Sequence, residues 1–377
     1  MTKAMTIVSK TWTNQGKKRL FHRKRRIAFR FSRGITALLC ICLLFPALFP
    51  GVNADAAGDV GCREGGNVEF LCPGGMPFGV RFSMEGVLVA GVTEVWKDGG
   101  KVSPAKDAGL QEKDMILEAD GEVIDSVEQL SAILENSGGN ALTLRISREG
   151  KEKTLTITPV ASDPDGIYRA GMWIRDSTAG IGTVTFIDPS TGAFAGLGHG
   201  ICDSDTGLLL PLREGKVTEV VIRGIKKGAP GNPGELQGFF GGKDQGELTA
   251  NAQTGVYGIY EKEQRQALLR DPLPVATMGE LHTGKASILC TLGKDGVRSY
   301  EVEIEHIGSG ESSCKNFSIH VTDPALLGAA GGIVQGMSGS PVIQDGKLAG
   351  AVTHVRISDP TRGYGIFIGN MLENLPA

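Results

Sequence analysis

The chain has 377 residues, abundant glycine (55) and few aromatics (6%), a balance that permits more than one buried core and favours strands with tight turns over a helical bundle. Its net charge of -3 conceals a basic stretch in which Lys17, Lys18, Arg19, Arg23, Lys24, Arg25, Arg26, Arg30 and Arg33 precede an apolar run. That order reads as a positive-inside membrane signal, so no nucleic acid is expected as a partner.

Residues 1–34 read as a basic cytoplasmic N-terminus and residues 35–52 as a signal or transmembrane segment. The run is short for a spanning helix and carries Pro46 and Pro50, while Ala54-Asp55-Ala56 fits a cleavage site. An anchor and a cleaved signal both satisfy it, and either exports the remainder. A Gly-rich, aperiodic linker spans 53–75. The seven cysteines have no zinc spacing, and neither a metal nor a cofactor is expected. Cys62 and Cys72 are either a disulfide or two free thiols.

Residues 76–160 form the first expected folded unit. Gly86 to Val95 reads as a strand, and Met115–Ala119 is joined to Glu122-Val123-Ile124 through the hairpin turn Asp120-Gly121. Ser126 and Gln129 predict a capping box opening a helix whose apolar face is Val127, Leu130, Ile133 and Leu134. Leu142, Leu144 and Ile146 then alternate up to the Arg148-Glu149-Gly150 turn, and Leu155 and Ile157 alternate after it. The expected unit is a small sheet covered by one helix.

Within it, Ser103-Pro104-Ala105 through Ala108-Gly109-Leu110, then Lys113-Asp114-Met115-Ile116 and Gly121, resembles the core of a bacterial PDZ domain. The resemblance implies a loop whose backbone N–H groups bind a peptide carboxylate while the ligand adds as a strand. Met76, Pro77, Phe78, Gly79 and Val80 match that loop, where Gly79 allows close approach and successive N–H groups make an anion-binding nest. The other reading of these residues is a simple turn.

From 163 to 377 the pattern is almost all strand and turn, with runs at Ile181–Phe186, Val217–Ile222, Ala286–Leu292, Tyr300–Ile307, Phe317–Val321 and Pro341–Ile343. Such spacing predicts a barrel or sandwich, and Gly224 to Gly246 reads as a long loop.

The chemistry concentrates in Gly336-Met337-Ser338-Gly339-Ser340-Pro341, which resembles the nucleophile loop of chymotrypsin-like peptidases. A hydroxyl nucleophile needs a tight glycine-flanked turn, and the N–H groups of Gly336 and Ser338 would form the oxyanion hole. Ser340, held extended before Pro341, is the weaker nucleophile. Among six histidines, His199 in Gly196-Leu197-Gly198-His199-Gly200 has small neighbours and suits a general base. His306 continues an apolar alternation and reads as structural, and His354 lies near the site with no assigned role. Asp323, ending the strand Phe317-Ile319-Val321, is the preferred acid, with Asp203 and Asp205 as alternatives.

The PDZ unit, Gly-Leu-Gly-His-Gly-Ile-Cys-Asp from Gly196, Gly-Gly-Ile-Val-Gln-Gly-Met-Ser-Gly-Ser-Pro ending at Pro341, and Ala351-Val352-Thr353-His354-Val355 together resemble the stage IV sporulation protein B family of signalling serine peptidases. The resemblance implies a PDZ domain followed by a chymotrypsin-like β-barrel, with His199, Asp323 and Ser338 as triad. It also implies export across, or anchoring in, the forespore membrane and autocleavage. Its substrate would be a protein regulator of an intramembrane protease, whose cleavage permits processing of the sigma factor K precursor. Cys202 departs from the small polar residue expected there. The competing reading is a non-catalytic PDZ adaptor. An esterase is disfavoured by the missing G-x-S-x-G elbow.

Overall fold

A ladder of antiparallel strands dominates the computed structural model, which describes residues 69–163, 165–308 and 313–376. These residues belong to one compact unit; residues 1–68, with the expected segment at 35–52, lie outside the described residues. Among the described residues no helix is long and apolar enough to cross a membrane.

Three cores can be traced. The PDZ core is made by the second half of β2 (Pro77–Val92), β3 (Met115–Ala119), β4 (Leu142–Arg148) and β5 (Lys151–Ile157), hydrogen-bonded in that order. Helix α1 (Val127–Asn136) covers this sheet with fully buried Leu130 and nearly buried Leu134, flanked by Val127 and Ile133. Burying each leucine contributes about 1.5–3 kcal/mol. The Ser126 hydroxyl accepts from Gln129 N–H at 3.1 Å, while the Gln129 side chain returns to the N–H of Asp125 rather than Ser126. Positive φ at Asp120 and Gly121, and at Glu149 and Gly150, matches the turns expected there.

The second core lies in a barrel closed by β2, β6 (Met172–Ile187), β7 (Ala193–Gly196), β8 (Leu212–Lys226), β9 (Glu235–Ala252) and β10 (Gly255–Tyr260). Closure comes from β6, which pairs with both β7 and β2. Its interior holds Phe78, Phe82, Val184, Phe194 and Val217. The third core is a separate closed barrel of β11 (Gly284–Thr291), β12 (Val297–Ile307), β13 (Phe317–Val321), β14 (Pro341–Gln344), β15 (Lys347–Val355) and β16 (Arg362–Phe367).

One strand is shared between the PDZ unit and the peptidase unit that follows it: the first half of β2 pairs in the first barrel and the second half in the PDZ sheet. Three expectations change. The expected linker contains a strand, β1 (Phe70–Pro73), with Leu71 and Cys72 buried, and Cys62 lies outside the described residues. Gly224–Gly246 is not a loop; it is mostly the β8–β9 hairpin, Lys226 opposite Glu235. The glycines serve close packing: a Cβ on Gly246 would lie 2.3 Å from the Ile259 carbonyl oxygen. His306 is exposed because the β12–β13 register shifts between Ile304 and His306.

Candidate active site

His199 follows β7 in the first barrel and Ser338 precedes β14 in the second, so the two residues reach the site from opposite barrels. The joint is braced by Thr183 of β6, whose N–H donates to Ser338 O at 2.9 Å and whose hydroxyl donates to Gly336 O at 2.8 Å. Thr185 adds a bond from its hydroxyl to Gly339 O at 2.8 Å. Gly339 has φ +95°, and a Cβ there would sit 1.9 Å from the Thr183 carbonyl oxygen, so only glycine lets the nucleophile turn rest on β6.

In that turn the Met337 N–H donates to Val334 O. Among the described residues nothing accepts from the flanking N–H groups of Gly336 and Ser338. Two unclaimed donors on either side of a claimed one are the geometry an oxyanion hole needs. Ser340 is fully buried and its hydroxyl donates to Met337 O at 2.7 Å, which removes it as a nucleophile.

Leu197 and Gly198 both have positive φ (66° and 67°), and the strain at buried Leu197 is held by its N–H bond to Thr183 O. His199 Nδ1 lies 2.9 Å from Gly200 O. A carbonyl only accepts, so Nδ1 carries the proton and Nε2 keeps the lone pair a general base requires. Burial, with a smaller push from the Lys315 cation, holds the imidazole below its ordinary pKa despite the opposing bond to Gly200. The Ser338 hydroxyl donates to Thr353 O at 2.7 Å rather than to His199.

Among the described residues no hydrogen bond links Asp323 to His199. The Asp323 carboxylate is the N-cap of α2 (Pro324–Ala330), accepting from Ala325 N–H at 2.8 Å and Leu326 N–H at 3.0 Å, with Glu301 N–H at 3.2 Å on the other oxygen. A carboxylate just before Pro at the first helical position is a strong capping arrangement, which the strand-end reading overlooked. Asp203 and Asp205 both pair with Arg175. His354 meets His199 instead, with ring centroids 4.9 Å apart and planes tilted by 38°. The residue pattern places His354 near the site without a role and does not single out Thr183; pairing across the barrels shows what each touches.

Met76–Val80 is also corrected. Pro77–Val80 lies in β2, where Gly79 is opposite Ile181 on one side and Thr218 on the other, so it is no open carboxylate loop. Gly79 is small because a Cβ would lie 2.4 Å from the Phe240 ring. The strand edge beside α1 belongs to β6: Asp176 accepts from Val127 N–H at 2.8 Å, and among the described residues Met172–Arg175 pairs with β2 alone.

A model of the family described as SpoIVB peptidase S55 matches residues 166–372, more than half the chain, and a PDZ domain model matches 78–158. Among curated proteins, one from Bartonella henselae named as a zinc metalloprotease is 33% identical over 93 residues. The protease eep of Enterococcus faecalis is 33% identical over 84 residues. These cover 25% and 21% of the chain, which spans only a quarter (25%) and a fifth (20%) of their lengths. The crystallised PDZ domain of an SdrC-like protein from Listeria monocytogenes is similar at 24% identity, covering 24% of this chain and 87% of that one, with TM-score 0.20. The active form of the Rv3671c protease from M. tuberculosis is 14% identical, covering 66% of this chain and 86% of that one, with TM-score 0.30.

Proposed function

The chain belongs to the SpoIVB peptidase S55 family of serine peptidases, and from that premise we propose that it is an endopeptidase with Ser338 as nucleophile and His199 as general base. The carrying observation is the meeting of the two loops across the barrels beside the unclaimed N–H groups of Gly336 and Ser338. His199 Nε2 takes the Ser338 proton, and the oxygen forms a bond to the peptide carbonyl carbon. The carbonyl π pair moves onto its oxygen, which Gly336 and Ser338 N–H hold. Collapse breaks the C–N bond as the amine takes the proton from His199, and water releases the acyl-enzyme.

For this chemistry the Ser338 hydroxyl must leave Thr353 O and turn to His199. That resting contact also favours a second reading, a PDZ adaptor whose serine stays parked. Labelling of the full chain with a fluorophosphonate separates the two readings. Adduct on Ser338, lost in Ser338→Ala, supports the peptidase; a folded wild type that takes no label supports the adaptor.

The finer reading follows the family: export across the forespore membrane or anchoring in it through residues 35–52 with the catalytic part on the outer side, self-cleavage near residues 53–75, and cleavage of a membrane-bound regulator of an intramembrane protease. A protein substrate would dock as an added strand on the Met172–Arg175 edge beside α1, where Trp173 is 69% exposed. Mass spectrometry of the expressed full chain tests the self-cleavage, which Ser338→Ala should abolish.

A further inference from the structure

We propose that Arg175 is a positioning residue for the general base, its guanidinium holding from β6 the small hairpin that follows His199. This rests on the Ser338–His199 reading and goes beyond it. The residues after the base fold back on themselves: Leu210 N–H donates to Ile201 O at 3.1 Å, while Asp203 N–H donates to Leu208 O and Gly207 N–H to Asp203 O, both at 2.9 Å. Cys202 and Leu209 pair between them. That ladder makes residues 201–210 one stiff body whose foot, Ile201, stands next but one to His199.

A stiff body needs more than one fixed point to keep its direction. Asn251 holds the foot, its Oδ1 accepting from Ile201 N–H at 2.8 Å and its Nδ2 donating to Ile201 O at 2.9 Å and Leu210 O at 2.8 Å. Arg175 holds the tip, one guanidinium nitrogen donating to Asp203 and the other to Asp205. With the foot alone held, the hairpin can pivot on Asn251 and carry His199 out of line with Ser338.

An ordinary surface ion pair would do little here. Asp203, however, is 2% exposed, and its Oδ1 accepts from Asp205 N–H at 3.1 Å and Thr206 N–H at 2.9 Å, so the carboxylate that Arg175 grips also builds the tip. Burial acts to raise the Asp203 pKa, yet the bonds from Thr206 and Arg175 hold it below the ordinary value, which keeps the charge in place at working pH. The planar fork spans both carboxylates at once, as the point charge of a lysine could not.

The same strand serves the rest of the site. Asp176, the next residue, accepts from Val127 N–H at the start of α1, and further along β6 Thr183 and Thr185 brace the nucleophile turn. One strand thereby touches the PDZ helix, the loop of the base and the turn of the nucleophile, and Arg175 is its grip on the base.

The test labels full-length wild type, Arg175→Met, Asp203→Asn and the double variant Arg175→Met/Asp203→Asn with a fluorophosphonate. It separates the maximal labelling rate per site from the half-saturating probe concentration and counts the sites finally labelled, with a melting curve for each variant. Arg175→Met should slow the maximal rate by about 10- to 100-fold, the scale of a misplaced catalytic group, with the half-saturating concentration within about threefold. The double variant should be no slower than Arg175→Met, because both changes act through one contact. It also leaves neither member of the buried pair unmatched, so it reads the effect where a single change fails to fold. An arginine that only adds stability would reduce the number of labelled sites and leave the rate at each site unchanged. If folded Arg175→Met or the double variant labels each site within about twofold of the wild-type rate, or if the two single effects add in the double variant, the inference falls while the dyad stands. If the wild type takes no label at Ser338, both fall.

Discussion

Asp323 separates two accounts of the site, and its replacement by Asn and by Ala distinguishes them. The carboxylate accepts from Ala325 and Leu326 at the N-terminus of α2 and from Glu301 across the strand end. Asn is as good an N-cap as Asp, so Asp323→Asn should keep most of the stability. It should also keep activity within about threefold, because no charge is taken from His199. Asp323→Ala removes the cap, a loss of about 1–2 kcal/mol by comparison with other capping residues. Urea unfolding at pH 7 reads the stability and fluorophosphonate labelling the activity. A triad acid behaves in the opposite way: Asn in its place costs about 10⁴ in kcat with the fold intact. An Asp323→Asn protein of wild-type stability that has lost activity on that scale would refute the account of Asp323 as a helix cap alone.

Other outcomes follow from the same contacts. Gly339→Ala should abolish labelling and lower the unfolding midpoint in urea, since its Cβ would overlap the Thr183 carbonyl; a labelled, normally stable variant would sink the bracing role of β6. Lowering the pH from 7 to 5 should destabilise the wild type by about 2 kcal/mol through His354. The unfolded chain takes up a proton near pH 6.5 and the native His354 only near 3, so this contribution to stability falls with pH through that window and is flat above it. Urea midpoints at the two pH values should show a smaller loss for His354→Phe; equal losses would contradict it. Because His199 is held below its ordinary pKa, the acid limb of kcat/KM should lie below about 6.5, and Lys315→Gln should move it upward. A limb that stays put or moves down would show that the cation does not act on the base.

Local pattern carried much of this protein. The Asp120-Gly121 and Asp345-Gly346 turns have the positive φ that their residue types announce, and the Ser126 cap and the alternation of β4 and β13 needed only nearest neighbours. The Gly336–Pro341 and Gly196–Gly200 loops were legible because tight turns leave glycine at fixed places. Partner choice was not legible. Gly79 signalled close approach, yet what approaches is Phe240 from a distant strand rather than a ligand. Asp323 ends a strand and begins a helix, and both roles suit its residue type; the N–H groups within reach settle what it binds. His354 reads as a strand histidine near the site, and only the closing of two barrels sets its ring against His199. Spacing along the chain thus determined the turns, caps and strand runs, since those depend on a few adjacent residues. Barrel closure alone decided which side chains meet across the active site, because those contacts join residues more than a hundred positions apart.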